Sequence, residues 1–165
     1  MVKAVLFDLG DTLIHEKVDD AEPLDVMTLE LQPYAADALR QLAEKYALAI
    51  VSDTESSPET SVRKALNRLG IEKFFQTVVT SIDVGTRKPD PTIFLEALER
   101  LGVNPPLAVL VGNDPDSDIA AGRAIGLRTV LYRSSRYHRP EADADADYVV
   151  DSLAELPGLI ERLDT

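Results

Sequence analysis

The stretch VLFDLGDTL, residues 5–13, carries the pattern that decides the fold. It begins as a run of apolar residues, which is typical of a strand buried on both faces of a sheet. The run ends abruptly at Asp8, and a second carboxylate, Asp11, follows after Leu9 and Gly10. The stretch alone leaves two interpretations open: a turn in which the carboxylates bond the backbone, or the start of a functional site at a strand end.

Five further apolar segments predict the other strands of a sheet. They alternate with segments that have apolar residues at helical spacing and that end near Gly or Pro. This alternation predicts an α/β fold, a doubly wound parallel sheet with helices on both faces. Ser57, directly before Pro58, is the expected N-cap of the second helix. The predicted strands are 3–7, 48–51, 75–79, 108–111, 128–132 and 148–150, and the predicted helices are 34–44, 58–69, 91–101, 116–125 and 153–163.

Composition limits the class of protein. The 165 residues have the size of a single domain, which we expect to span residues 1–165. A formal net charge of −12 argues against binding to a nucleic-acid backbone. No apolar run is long enough to cross a bilayer and no secretion signal precedes the first strand, so we expect a cytoplasmic protein. Because the chain has no cysteine and only two histidines, any metal would be held by oxygen ligands.

Polar residues follow four of the predicted strands, at the edge where a parallel sheet binds ligands. They are Asp8, Ser52, Asn113 with Asp118, and Lys88 in the loop GTRKPDP. Each has a simpler interpretation as a helix cap, a surface charge or an acid that favours a helix N-terminus. Together, a hydroxyl, an ammonium, an amide and carboxylates are suited to bind a phosphoryl group and Mg²⁺, which indicates phosphoryl transfer.

The same residues resemble the motifs of the haloacid dehalogenase superfamily of hydrolases. FDLGDTL resembles the first motif, IVSDT the second, GTRKPDPTIF the third and VGNDPDSDIAAGRAIGL the fourth, in the family's order. The resemblance covers residues 2–156 and implies a Rossmann-like fold in three layers. The segments between the first three motifs are too short for the cap domain that many members insert, so we expect a capless and open site.

The resemblance also implies a role for each matched residue. Asp8 would be the nucleophile that forms an aspartyl-phosphate, and Lys88 would hold both the nucleophile and the phosphate. Ser52, with the backbone amides of Asp53 and Thr54, would bind the phosphoryl oxygens. The implied activity is Mg²⁺-dependent hydrolysis of phosphate monoesters. The implied metal ligands are Asp8, the Gly10 carbonyl, Asn113 and Asp118, directly or through water.

Two positions depart from the family pattern. Gly10 stands where phosphatases of the family usually carry a second aspartate, the general acid and base, and Asn113 stands where aspartate is common. Asp11 and His15 are the candidates to replace the missing acid, although the backbone is expected to turn the Asp11 side chain elsewhere. General acid–base catalysis is worth about 10²–10⁴ in rate. The alternatives are therefore a weak or inactive relative that binds phosphoryl ligands or proteins, and a phosphotransferase.

Two further segments have open interpretations. The basic cluster RSSRYHR, residues 133–139, would bind an anionic part of a substrate, or be a solvated loop balanced by EADADADY, residues 141–148, itself an expected exposed loop. The apolar residues within 14–33 would form a flap over the site or contact a second copy in a homo-oligomer. The expected partner is a phosphorylated substrate, small or macromolecular, with no nucleic acid and no membrane.

Overall fold

The computed structural model describes residues 1–15, 22–133 and 139–165. Six strands within these ranges form one sheet, in which every neighbouring pair is parallel. The strands are β1 (Ala4–Phe7), β2 (Ala47–Ser52), β3 (Thr77–Thr80), β4 (Ala108–Gly112), β5 (Arg128–Tyr132) and β6 (Tyr148–Val150). Their order is β3-β2-β1-β4-β5-β6, which is the doubly wound, Rossmann-like order.

Helices connect the strands and cover both faces of the sheet. Short 3₁₀ helices supplement them at residues 24–26, 72–74, 105–107, 140–145 and 153–155. A π-helical turn, Pro115–Ile119, leads directly into the fifth helix. The α-helices are α1 (Ala35–Ala43), α2 (Glu59–Arg68), α3 (Ser81–Val84), α4 (Thr92–Leu101), α5 (Ala120–Ala124) and α6 (Leu156–Leu163).

Each face of the sheet has its own apolar core. Val5 and Phe7 lie in the core that includes residues of α1, α2 and α6, whereas Ala4 and Leu6 lie in the core that includes residues of α4 and α5. Successive side chains of a strand point to opposite faces, so each central strand supplies both cores. This explains why the strands appear in the sequence as continuous apolar runs. The structure confirms the predicted three-layer α/β fold.

The register of the central strands brings the predicted site residues to one edge. Phe7 pairs with Ile50 of β2 and with Val111 of β4. Asp8 therefore lies close to the level at which Ser52 and Asn113 follow their own strands. The strand order also reverses between β1 and β4, which is where a doubly wound sheet opens a crevice for ligands.

The connections around this edge are short. Between β1 and β2 the described residues contain one 3₁₀ helix and α1, and between β2 and β3 they contain α2 and one 3₁₀ helix. Neither connection holds an inserted cap domain, as predicted. Within the described ranges, no helix combines the length and apolar character required to span a membrane.

Two local predictions differ from the structure: the helix cap at Ser57 and the exposed loop at 141–148. Ser57 is not the cap of α2, because its buried hydroxyl accepts a hydrogen bond from the Leu24 N–H at 2.9 Å. The N–H of Glu59 is bonded instead by the Asp83 carboxylate. The predicted loop at 141–148 starts within a 3₁₀ helix, Pro140–Asp145, in which Ala142 is buried.

A methyl group at Gly122 tests how closely α5 packs on the sheet. A Cβ there would lie 2.7 Å from Leu110 Cδ2 and 3.2 Å from Thr129 Cγ2, and both neighbours are fully buried. We expect Gly122→Ala to lower the free energy of unfolding by about 1–3 kcal/mol, because the core must shift to accept the methyl group. In the control Gly158→Ala, a Cβ would meet only Arg162 Nη1 at 3.6 Å, so helix propensity should raise stability by up to about 1 kcal/mol. Urea denaturation measures both, and equal stabilities would contradict close packing at Gly122.

Candidate active site

A buried ammonium joins two carboxylates at the carboxyl end of the sheet. Lys88 Nζ lies 2.7 Å from Asp8 Oδ1 and 2.7 Å from Asp118 Oδ1. The side chains of Lys88, Asp8 and Asp118 are 3%, 12% and 1% exposed. With both carboxylates ionised, the cluster carries one net negative charge in a nearly dry environment, which a further cation would balance.

Burial and charge act together on the pKa values of this cluster. The pKa of Asp118 is raised to about 7, chiefly by burial and then by the Asp8 carboxylate, while the Lys88 ammonium opposes the rise. Burial lowers the pKa of Lys88, but the Asp118 and Asp8 carboxylates outweigh burial and the net pKa is raised. Lys88 therefore keeps its proton and stays a fixed positive charge beside Asp8.

The Asn113 amide lies against the other oxygen of Asp8. One terminal atom of this amide is 2.7 Å from Asp8 Oδ2, 3.2 Å from the Gly10 carbonyl oxygen and 3.0 Å from Thr12 Oγ1. With the amide nitrogen in this place, it donates hydrogen bonds to these oxygens. With the amide oxygen there, it would face the Asp8 carboxylate and the Gly10 carbonyl with no hydrogen between them, which a bound cation would relieve.

This donor set fits Mg²⁺. Carboxylate, backbone carbonyl and amide oxygens are hard ligands of the kind that Mg²⁺ takes, and the Asn113 amide lies beside both Asp8 Oδ2 and the Gly10 carbonyl. Among the described residues, no group of three or more His, Cys, Asp or Glu side chains is arranged to hold a metal. A metal here would therefore depend on the Gly10 carbonyl and the Asn113 amide as well as on Asp8 and Asp118.

Gly112 allows Asp118 to reach the site. A Cβ at Gly112 would lie 2.6 Å from the Cβ, Cγ and Oδ2 atoms of Asp118, so only glycine leaves room for this carboxylate. The π-helical turn fixes the same residue from the other side, because the Asp118 N–H donates to the Asp114 carbonyl at 2.9 Å. Asp114 caps the turn by accepting hydrogen bonds from the N–H groups of Asp116 and Ser117.

The predicted phosphate-binding residues lie at the end of β2, with differing availability. Ser52 is buried and its hydroxyl makes only a long contact, 3.4 Å, to the Asp53 carbonyl. The Asp53 carboxylate accepts the Lys88 N–H at 3.0 Å and so ties β2 to the Lys88 loop. The Thr54 N–H already donates to Ser81 Oγ at 2.9 Å.

The predicted site residues line one cavity of about 190 Å³. Asp8, Ser52, Lys88, Asn113 and Asp118 line it together. The opposite wall comes from Ile14, His15 and the strap, our name for residues 22–31. The strap residues that line the cavity are Glu22, Leu24, Met27 and Leu29.

The strap makes the site less open than the sequence predicts for a capless protein. Its C-terminal end lies beside His15, whose N–H donates to the Glu30 carbonyl at 2.9 Å. It is held to α2 by the Ser57 hydroxyl and by Arg68, which donates to the Asp25 carbonyl. Three of its apolar residues, Leu24, Met27 and Leu29, thus line the cavity, and action of the segment as a flap stays a prediction. Contact with a second copy of the chain stays a prediction.

Asp11 and His15 have different positions relative to the cavity. His15 lines it, but Asp11, which has a φ of 58°, is not among the described residues that do. The sequence analysis missed Thr12, although it lies within FDLGDTL: its hydroxyl is 3.0 Å from both Asp8 Oδ2 and the Asn113 amide. The available signal in the sequence was a hydroxyl-bearing residue four positions after Asp8.

Only the ends of the predicted basic cluster can be described, since residues 134–138 lie outside the described ranges. Arg133 pairs with Asp143 at 3.0 Å and with Asp151 at 2.6 Å, and Arg139 pairs with Asp116 at 2.9 Å. These two arginines are thus balanced by neighbouring carboxylates, as the solvated-loop interpretation predicts.

Comparison with known proteins adds independent findings. Residues 17–132 match the family described as haloacid dehalogenase-like hydrolase. A glyceraldehyde 3-phosphate phosphatase from Methanocaldococcus jannaschii is 30% identical over 164 residues, which cover 99% of this chain and 71% of that protein. The phosphatase of the same name from Methanopyrus kandleri is 43% identical over 101 residues, covering 59% of this chain and 43% of that protein. The chain thus spans only part of the length of these relatives.

A solved structure extends the likeness to the whole chain. The crystal structure of a Listeria monocytogenes serotype 4b protein superposes with a TM-score of 0.84 at 26% identity, covering 99% of each chain. This likeness supports the six-stranded architecture around the site.

Removing the Asp118 carboxylate tests its buried charge through the pH dependence of stability. Because its pKa is raised from 3.8 to about 7, the folded protein keeps a proton there that the unfolded chain releases. We expect the free energy of unfolding of the metal-free protein to fall as the pH rises through this window. The variant Asp118→Asn should lack this contribution, as measured by urea denaturation in EDTA at several pH values.

Asp90→Asn is the control for this measurement. Asp90 is exposed and its pKa is lowered by hydrogen bonds from Thr92, so it titrates below the window and its removal should leave the slope unchanged. Equal slopes for the wild type and Asp118→Asn would contradict the raised pKa of Asp118.

Proposed function

Because the chain belongs to the haloacid dehalogenase-like hydrolase family, we propose that it is a Mg²⁺-dependent phosphatase that hydrolyses phosphate monoesters through an aspartyl-phosphate on Asp8. The observation that carries the proposal is the 2.7 Å contact between Asp8 and the buried Lys88 ammonium. A carboxylate attacks a phosphate dianion poorly unless positive charge lies nearby, and Lys88 supplies one such charge.

The reaction would take place in two steps. A carboxylate oxygen of Asp8 forms a bond to phosphorus while the bond from phosphorus to the leaving oxygen breaks. Water then attacks the phosphorus of the aspartyl-phosphate, which releases inorganic phosphate and restores the carboxylate. Mg²⁺, held by Asp8, the Gly10 carbonyl, Asn113 and Asp118, would supply the remaining positive charge between nucleophile and phosphate.

The phosphoryl oxygens would be bound at the end of β2. The Ser52 hydroxyl is the best placed donor, since its present contact is long. Lys88 and the Asp53 amide would complete the set. The Thr54 amide would join only by leaving its hydrogen bond to Ser81.

His15 is our candidate for the proton transfers that Gly10 cannot perform. Its Nδ1 lies 3.4 Å from Gln32 Nε2, and the Tyr132 hydroxyl lies 3.4 Å from Gln32 Oε1. The Gln32 amide can present either its nitrogen or its oxygen to His15, because the Tyr132 hydroxyl at its other end can donate or accept. Gln32 can therefore form a hydrogen bond with His15 in either protonation state. The protonated ring would give its Nε2 proton to the leaving oxygen, and the neutral ring would take one from the attacking water.

Gly10 favours a second candidate, a phosphotransferase. Without a carboxylate at this position, water is activated less well, and the aspartyl-phosphate would persist until another acceptor takes the phosphoryl group. The third possibility, an inactive binding module, is disfavoured because Asp8 and Asp118 are both held by the buried Lys88 ammonium at the end of the sheet, and loss of activity would not be expected to spare these residues. Cytoplasmic location and homo-oligomerisation stay predictions from the sequence.

Hydrolysis of an aryl phosphate tests the nucleophile, because a phenolate leaves with little need for a proton. We expect turnover by the wild type in Mg²⁺, its loss in EDTA, and a kcat lower by about 10³ or more in Asp8→Asn. Asp37→Asn, which removes an exposed carboxylate on α1, should leave kcat unchanged.

Gly10→Asp separates the candidates. For a phosphatase limited by proton transfer, this variant should hydrolyse poorer leaving groups faster than the wild type. If the wild type forms a long-lived Asp8 adduct that an added alcohol discharges, the phosphotransferase is favoured. If wild type, Asp8→Asn and Gly10→Asp are equally inert, both enzymatic candidates are contradicted.

Two neighbouring variants test the proton donor. We expect His15→Gln to lower kcat about 10- to 100-fold for alkyl phosphates but to leave aryl phosphates nearly unaffected, because only an alkoxide needs protonation as it leaves. Asp11→Asn should leave the ratio of alkyl to aryl rates unchanged, since Asp11 does not line the cavity. An equal loss on both substrate classes in His15→Gln would assign His15 a structural role.

A further inference from the structure

Beyond the reaction centre, the charged groups around the cavity are mostly negative. Among the described lining residues outside the proposed machinery, the carboxylates are Glu22, Glu55 and Asp114, and the only strong cation is Arg87. Arg87 Nη1 is paired with Glu55 Oε1 at 2.7 Å. A second anionic group on a ligand would therefore meet mostly carboxylates, and it would have to compete with Glu55 for Arg87.

The strap contributes an apolar wall to the same cavity. Leu24, Met27 and Leu29 line it, and all three are partly buried. The strap is fixed in place, because the Ser57 hydroxyl that bonds the Leu24 N–H is only 2% exposed. A charged group held against this wall would lose hydration without gaining a partner, which disfavours it, whereas a hydrocarbon face would gain by burial.

The cavity volume limits how much of a ligand the site can enclose. About 190 Å³ is less than the roughly 300–1,000 Å³ of pockets that take drug-sized molecules. The phosphoryl group occupies the part near Asp8 and Lys88, and a small organic group fills the rest.

We propose that the strap makes this site selective for small phosphate monoesters whose leaving group presents an apolar face and carries no second anionic group. This inference rests on the proposed phosphatase function and deepens it by naming the substrate class. The phosphate dianion is balanced by Lys88 and the metal, but a carboxylate or second phosphate on the leaving group is balanced by no unpaired cation among the described lining residues.

The first test compares two substrates of similar size, 4-methylphenyl phosphate and 4-carboxyphenyl phosphate. We expect the wild type to hydrolyse the methyl compound with a kcat/KM higher by about tenfold or more, because the carboxylate meets like charge. Equal values, or a preference for the carboxylate, would overturn the inference, while Asp8-dependent turnover would leave the proposed function standing.

The second test places a cation on the strap. Met27→Lys should shift the ratio of the two kcat/KM values toward the carboxylate by about tenfold, because Met27 faces the cavity. Val26→Lys is the matched control: Val26 is 62% exposed and is not among the lining residues, so the same change of net charge should leave the ratio unchanged. An equal shift in both variants would overturn the role of the strap.

Binding separates failure of this inference from failure of catalysis. The phosphonates 4-methylbenzylphosphonate and 4-carboxybenzylphosphonate cannot be hydrolysed, and their Kd values for the wild type with Mg²⁺ report selectivity alone. Tighter binding of the methyl compound without any turnover would overturn the phosphatase but support the selective site. Tighter or equal binding of the carboxylate would overturn the selectivity whatever the activity.

Discussion

The Lys88 ammonium, held between Asp8 and Asp118, is the contact on which the rest of the site depends. It joins residues that follow three different strands, and its positive charge is what makes burial of two carboxylates tolerable. Much of the neighbouring structure serves this contact. Gly112 leaves room for Asp118, and the Asp53 carboxylate fixes the backbone of Lys88. With both carboxylates ionised the cluster carries one net negative charge, which the proposed Mg²⁺ would balance.

The strap takes over part of what an inserted cap would do. A cap closes a site with a second domain, whereas here a segment of ten residues supplies one wall. Hydrogen bonds with the buried Ser57 hydroxyl and with Arg68 of α2 hold this segment. Such a wall is small, so it contacts only the part of a ligand nearest the phosphoryl group. The proposed selectivity would then come from the charge and polarity of that nearest part and not from recognition of a whole molecule.

The sequence predicted the sheet and the residues at its edge, because buried parallel strands leave a continuous apolar signal and ligands bind where strands end. It did not predict which hydrogen bonds the polar residues near the site make with backbone groups. Ser57 is of a residue type that often caps helices, but its hydroxyl accepts a hydrogen bond from the strap. The Thr54 N–H donates to the Ser81 hydroxyl. The helix after β4 starts as a π-helical turn because Asp114 caps it. The contacts of Ser57 and Thr54 join segments distant in the chain, which no local pattern encodes, whereas the Asp114 cap is local.

The Asn113 side-chain amide can take two orientations, one suited to the site without a metal and one suited to a bound metal. An amide has a donor and an acceptor at its two ends, and a half-turn exchanges them without movement of the backbone. With no metal present, the nitrogen bonds Asp8 and the Gly10 carbonyl; with a metal, the oxygen can be a ligand. An aspartate here would place carboxylates face to face whenever the metal left. An amide at position 113 therefore lets this part of the cluster satisfy its hydrogen bonds without a metal, which a carboxylate in the same place could not do.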